Sequence, residues 1–324
     1  MKAAVYRQYG PPEVVRIEEL ARPEPRENEV LIRVRASTVS SADWRVRSLK
    51  VPAGFGLFAR PVLGMFGPRK AVLGTELAGE IEAVGSAVRK FKAGDAVFAF
   101  PGFDMGCHAE YRTLPEDGRI MPMPAGVSFE EAAAISFGGS TALHYLRDRA
   151  KAKPGDDVLI IGASGAVGSA AVQIAKHLGA RVTGVTSTPN LERVSGLGAD
   201  RVIDYTKTRF LEGGEKYDII FDTVGSTSFS ACESALKEDG RLLLSAAGLP
   251  QILASSWASR RGKKGVVSGN ATESVEHLRY LKELVEAGQY RPLIDRTYPL
   301  ERIVDAHAYV DAGRKRGSVV ITMA

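Results

Sequence analysis

The chain has 324 residues, 44% apolar and 25% charged, with a net charge of +5 and two cysteines, Cys107 and Cys232. That length accommodates about two domains at roughly 150 residues each, and the balance is that of a globular protein, which excludes a fibre or a disordered tail. Two cysteines cannot build a disulfide framework or a four-cysteine zinc site, and no apolar stretch is long enough to span a bilayer. The N-terminus MKAAVYRQYG runs straight into a polar alternating pattern without a signal-peptide core. We therefore expect a cytoplasmic protein with no membrane insertion.

Short strands are predicted over Ala3–Tyr6, Val14–Glu18, Glu29–Ala36, Leu77–Val84 and Ala96–Phe98. Pro and Gly punctuate them, the spacing of a small β-barrel-like module. Between Arg45 and Leu73 lies a Gly- and Pro-rich stretch with Phe55, Phe58, Met65 and Phe66. A loop of that length reads either as a binding lid or as an insertion packed on its own barrel. Ser128 with Glu131 forms a capping box ahead of an Ala-rich helix. Strands and helices then alternate. Strands are expected at Asp157–Ile161, Arg181–Thr186, Arg201–Asp204, Asp218–Asp222, Arg241–Ser245 and Gly265–Ser268, and helices at Val167–Leu178 and Glu273–Ala287. Continuous apolar strands separated by helices imply a parallel sheet covered on both faces. The chain ends in a helix followed by a strand.

The most specific motif is Gly162-Ala163-Ser164-Gly165-Ala166-Val167-Gly168, where a strand turns into a helix. Small residues let the backbone approach a pyrophosphate, and the helix N-terminus offers N–H groups and a positive dipole end. The alternative is a tight βα turn without a ligand. An NAD site usually carries an acid at the end of the second strand, for the ribose 2′-hydroxyl. Here that position reads Thr186-Ser187-Thr188, and the first acid is Glu192. Small hydroxyl residues leave room for a 2′-phosphate. Arg193 is a nearby cation, or simply a solvated helix residue, and Tyr205 could flank the adenosine phosphate. We expect NADPH as the cofactor.

Together the motifs resemble the medium-chain dehydrogenase/reductases, in their zinc-free quinone oxidoreductase-like branch. The resemblance rests on Gly10-Pro11-Pro12-Glu13-Val14, Gly74-Thr75-Glu76-Leu77-Ala78-Gly79, Lys92-Ala93-Gly94-Asp95, the Ala163–Gly168 turn, Leu197-Gly198-Ala199-Asp200 and Gly317-Ser318-Val319-Val320-Ile321. It covers nearly the whole chain. It implies an α/β fold: a Rossmann doubly wound parallel sheet inserted into a GroES-like β-barrel catalytic domain. The expected boundaries are 1–124 and 271–324 for the barrel and 125–270 for the nucleotide domain.

Zinc-dependent relatives need a His at the position of Thr75 and a Cys within Thr38–Asp43, and both are absent. A catalytic zinc needs three protein ligands of suitable type, so with these two missing no catalytic metal is expected. The resemblance implies hydride transfer from NADPH to a conjugated acceptor, a small apolar quinone or enone, that spreads the negative charge itself. Ser40 stands where the family usually has Asn, and Asp43 follows in the same turn; both are candidate catalytic residues, Asp43 reading more simply as a structural acceptor. Thr141, Val224, Ala246, Ala247, Gly248, Gly269 and Asn270 match positions on the nicotinamide side. The same residues are compatible with a non-catalytic NADPH-binding sensor or interaction protein, and with a zinc-free alcohol or aldehyde reductase. Ser40 in place of Asn keeps the sensor reading open.

The five histidines read as core or surface. The basic groups Arg260-Arg261-Gly262-Lys263-Lys264 and Arg314-Lys315-Arg316 read as solvated loops, so no nucleic acid is expected. A homodimer joined edge to edge through Gly265–Ser268 is expected from the resemblance.

Overall fold

Strand β3, Glu29–Val39, organises the first half of the chain. It is long enough to hold three antiparallel partners. The computed structural model pairs it with β4 (Leu77–Val84) along one edge, and with β6 (Tyr111–Pro115) and β15 (Ser318–Thr322) along successive stretches. β5 (Ala96–Ala99) and β7 (Ile120–Pro122) extend the sheet beyond β4, and β14 (Ile294–Pro299) runs parallel to β15 at the other end. A hairpin of β1 (Lys2–Tyr6) and β2 (Val15–Glu19) accompanies them. Val30, Ile32 and Val34 point with Leu77, Ile81, Val319 and Ile321 into one apolar core. The structure describes residues 1–51, 53–249, 251 and 264–323; of the basic group at 260–264 only Lys264 lies within them.

The alternating segment forms a six-stranded, wholly parallel sheet. Its strands are β8 (Asp157–Ile161), β9 (Arg181–Thr186), β10 (Arg201–Asp204), β11 (Tyr217–Asp222), β12 (Leu236–Leu244) and β13 (Gly265–Ser268). The order is β10-β9-β8-β11-β12-β13. Numbered within the unit this is 3-2-1-4-5-6, the Rossmann arrangement. Its core gathers Leu159, Ile161, Val185, Ile220, Leu242 and Leu244.

Packing divides the chain into two compact units. One comprises residues 1–51, 56–137 and 273–324; the other comprises 53–55 and 138–272. The first boundary therefore lies after residue 137, not after 124. The reason is local. The helix Phe129–Ala133, capped by Ser128 and Glu131 as expected, buries Ala132 and Ala133 and packs on β3 and β4. The stretch between Arg45 and Leu73 is also not wholly irregular. It contains a helix over Gly56–Leu63, despite Pro61. Strands β6, β7 and β14 carry too little period-2 alternation to be read from sequence, being short or mostly half-exposed.

Candidate active site

Because every strand of the second unit's sheet runs the same way, the loops after β8 to β13 emerge along one edge. Open parallel sheets bind ligands there. Ala163–Gly165, Ser187, Tyr205, Val224, Ala246–Gly248, Gly269 and Asn270 fall on those loops, Thr186 ends β9, and Ala166–Gly168 open the helix that follows β8. The topology thus gathers positions more than a hundred residues apart.

The turn after β8 has the properties of a phosphate cradle. Gly162 takes a φ of +81° and donates its N–H to Val185 O at 3.1 Å, while Ala163 donates to the same oxygen at 3.0 Å. A side chain on Gly162 would press into Val224, and one on Gly168 would collide with the carbonyl oxygen of Gly162. Gly165 caps the helix Ala166–His177 with no side-chain hydrogen bond, so the capping residue satisfies none of the helix's first N–H groups. Small residues, a left-handed glycine and an uncapped helix start fit a bound pyrophosphate. Ala163 and Gly168 are themselves buried, so their part is to let the turn close. Gly138 lies against Ala166 O, where a Cβ would come within 2.5 Å. This close approach carries half-buried Thr141, one helical turn on, alongside the nucleotide helix.

At the end of β9, buried Thr186 donates its hydroxyl to Ser164 Oγ at 3.0 Å, tying the second strand to the turn. Asn190 was not anticipated. It donates from Nδ2 to Ser187 Oγ at 3.0 Å, and its buried Oδ1 has no hydrogen-bond partner among the described residues. Asp204, at the end of β10, is the nearest buried acid after the strand pair. It accepts from Thr188 Oγ1, Thr206 N and Thr206 Oγ1 at 2.5, 2.9 and 2.7 Å, and these bonds hold its carboxyl below the usual range. Arg193 is exposed on the helix Leu191–Gly196, and Tyr205 is 56% exposed.

After β11, Asp222 builds the turn that presents Val224. Its Oδ1 accepts from Val224 N and Gly225 N, and its Oδ2 from Thr227 N, all at 2.8 Å. Val224 is thereby left 58% exposed. Acid-initiated turns of this kind carry a sequence signal, Asp222-Thr223-Val224-Gly225, that points to Asp222 as the organiser. Ala246 and Ala247 are half-buried, and Gly248 lies against the backbone of Ala53. Gly269, at φ +118°, and Asn270 are exposed. Tyr145 was missed by sequence reading because a lone aromatic in a helix reads as core. Its buried hydroxyl reaches Leu244 O at 3.1 Å and also Gly269 O, bridging the ends of β12 and β13.

In the first unit Ser40 and Asp43 lie together at a helix start, Asp43 as the simpler of its two readings had it. Ser40 is the N-cap of the helix Ser41–Ser48, and Asp43 completes a capping box. The Ser40 hydroxyl donates to Asp43 Oδ2 at 2.6 Å and accepts from Ala42 N and Asp43 N. Asp43 Oδ1 accepts from Gly74 N at 2.8 Å. Both side chains are buried and mutually satisfied, so Ser40 presents no free donor and Asp43 is a structural acceptor. Glu76 is equally enclosed, accepting from Thr38 Oγ1 and Phe137 N at 2.6 Å each. Burial pushes its carboxyl up to about 7. Behind it, His108 Nε2 lies 2.9 Å from Thr38 O, and its ring meets His307 edge-on at 5.8 Å. Thr75, at the position where a zinc-dependent relative has His, keeps a buried hydroxyl without a partner among the described residues. Among those residues no three His, Cys, Asp or Glu side chains converge as a metal donor set.

Two family models cover most of this architecture. The alcohol dehydrogenase GroES-like domain matches residues 26–125, and a model described as zinc-binding dehydrogenase matches residues 197–321. The chain is 33% identical to a 2-methylene-furan-3-one reductase of Solanum lycopersicum, across 99% of this chain and 79% of the relative. This chain belongs to the medium-chain dehydrogenase/reductases, in the quinone oxidoreductase-like branch. An NADPH-dependent alkenal/one oxidoreductase of Arabidopsis thaliana is 32% identical over the same shares of the two chains. The solved quinone oxidoreductase of Coxiella burnetii superposes with a TM-score of 0.88 at 30% identity, covering 100% of this chain and 99% of that one. As a member of this family, the protein is an oxidoreductase with a nicotinamide cofactor. Although one model's description mentions zinc, this chain has Thr75 at the position of the expected His and no Cys within Thr38–Asp43.

Proposed function

We propose that the protein reduces a small apolar quinone or α,β-unsaturated carbonyl with NADPH and without a metal, in the cytoplasm. The observation that carries this reading is the uncapped Gly162–Gly168 turn, joined along one sheet edge to two outward-facing apolar side chains, Tyr205 and Val224. When bound, the nicotinamide supplies a hydride. The residues of this chain bind, orient and exclude water. The first turn of the helix Ala166–His177 offers its N–H groups to a pyrophosphate, and Val224 covers a ribose. Ala246–Gly248 and Asn270 orient a carboxamide, for which Asn270 has both donor and acceptor atoms. Thr186 and Ser187 in place of an acid, with Arg193 nearby, support NADPH over NADH. The names of the two plant relatives support a conjugated carbonyl as acceptor. Such an acceptor delocalises the charge it receives, so a Lewis acid is not required.

Turnover of NADPH and of NADH with a panel of quinones and enones, followed at the nicotinamide absorbance, tests the reading. Consumption of NADPH with at least one conjugated acceptor is expected. Cofactor binding with a silent panel would replace it by the second reading, an NADPH-binding sensor. The enclosed Ser40 hydroxyl, with no free donor, favours that reading. Arg193→Ala should raise the KM for NADPH about fivefold, the worth of an exposed charge contact of about 1 kcal/mol, and leave that for NADH unchanged. We also propose a homodimer joined at β13, which ends the sheet order; a light-scattering mass of one chain would refute it.

A further inference from the structure

The segment between Asp43 and Glu76 contains six basic residues and no acid. It also holds a built apolar tip. Gly64 takes a φ of +134°, and any side chain there would strike Gly67 O, so the turn at 64–67 is tight. Three hydrogen bonds fix it, and a fourth ties the chain beyond it to β1. Gly64 N donates to Arg60 O and Arg69 N to Leu63 O, both at 2.8 Å. Tyr9 Oη donates to Gly64 O at 3.0 Å, and Tyr6 N to Ala71 O at 2.9 Å. The turn presents Met65 at 50% and Phe66 at 100% exposure, with Val62 beside it at 67%. Arg60, whose Nη1 donates to Met65 O at 3.2 Å, and exposed Arg69 flank the tip. Neither forms an ion pair among the described residues, whereas the adjacent Lys70 is neutralised by Asp104 and Arg7 by Glu18.

A wholly exposed aromatic on a hydrogen-bonded turn is not core packing, and singly exposed apolar residues rarely cluster at an apex. Arginines with no carboxylate partner among the described residues, set around apolar side chains, make the arrangement of elements that lie on a lipid interface; Arg60 also lies 5.9 Å over the Tyr9 ring. There the apolar groups enter the headgroup boundary and the cations meet anionic lipid. We propose that the turn Gly64–Gly67, with Val62, Arg60 and Arg69, docks the protein on an anionic lipid surface. The segment spans nothing and works as a peripheral contact. The inference does not depend on the acceptor reading, since binding is measured without turnover.

The test is co-sedimentation of the full chain with vesicles of phosphatidylcholine, with and without phosphatidylserine, across a salt series. Binding to the anionic vesicles should be at least tenfold stronger, should weaken as salt is raised, and should fall about tenfold in Phe66→Ser and in Arg60→Gln/Arg69→Gln. Circular dichroism melting checks that these exposed substitutions leave the fold intact. Equal binding to both vesicles, no binding at low salt, or unchanged binding by Phe66→Ser overturns the proposal. A scattering mass that halves in Phe66→Ser without vesicle binding assigns the tip to a second copy of the chain instead. A raised acceptor KM in Phe66→Ser without vesicle binding assigns it to the substrate. Either result also overturns the proposal.

Discussion

Two strand-to-helix turns, one in each unit, solve the same problem in opposite ways. The helix Ser41–Ser48 starts with its N–H groups occupied by Ser40 and Asp43, and the Asp43 carboxylate also holds Gly74 N. The helix Ala166–His177 starts at Gly165 with no side-chain cap, beside Gly162 and Gly168, neither of which leaves room for a Cβ. A helix start leaves N–H groups that need acceptors, and what supplies them decides the turn's role. Where the chain supplies them itself, the turn is structural. Where it supplies none, and keeps the approach clear, the turn is ready for an anion. This contrast separates two motifs that both looked functional in sequence.

The largest expected effect breaks the open turn. Gly168→Val drives a side chain into Gly162 O, and displacing the cradle by an ångström should cost on the order of 100-fold in nucleotide affinity. Fluorescence titration with NADPH reads this directly. A variant that binds like the wild type would mean that the turn is not the cradle.

The closed unit should respond to pH instead. His307 is fully buried with both ring nitrogens unpartnered among the described residues. Burial first, then the charges of His108 and Arg47, hold it well below 6.5. Its folded value lies below its unfolded one, so its contribution is present above pH 6.5 and is lost as pH falls. The slope is about 1.4 kcal/mol per unit. Glu76 is shifted the other way, from 4.5 to about 7. Its contribution is present below 4.5 and is lost as pH rises through 7. Between pH 4.5 and 6.5 the two slopes oppose each other. His307→Leu should leave stability falling with pH across that window, and Glu76→Gln should leave it rising. Urea denaturation at several pH values distinguishes these, and parallel profiles would remove both groups from the account.

The smallest effect sharpens the comparison at Ser40. Ser40→Ala removes an N-cap and should lower stability by about 1 kcal/mol. Thermal melting and turnover measured together decide its role. A fall in kcat beyond tenfold with an unchanged melting temperature would restore Ser40 as a donor to the acceptor.

Much of the molecule was legible in local sequence. β4, β8, β9, β10 and β13 fall on the predicted residues, because continuous apolar runs between Gly and Pro leave few other conformations. The glycine turn was legible because Gly162 takes a positive φ and Gly168 lies against Gly162 O only six residues away. Three things depended on distant partners and could not be read. One is the place of residues 125–137, decided by the burial of Ala132 and Ala133 on β3 and β4. Another is the closure of Asp43, decided by Gly74 N thirty-one residues away. The third is the bridge from Tyr145 to the ends of β12 and β13, about a hundred residues on. By itself the sequence determined the class of the strongly patterned elements and the small residues of the turn after β8, since these are contests between neighbours along the chain. The tertiary structure alone decided which polar side chains stay open to a ligand and which are already satisfied. A buried donor or acceptor takes the partner that folding brings, and no local pattern records that partner.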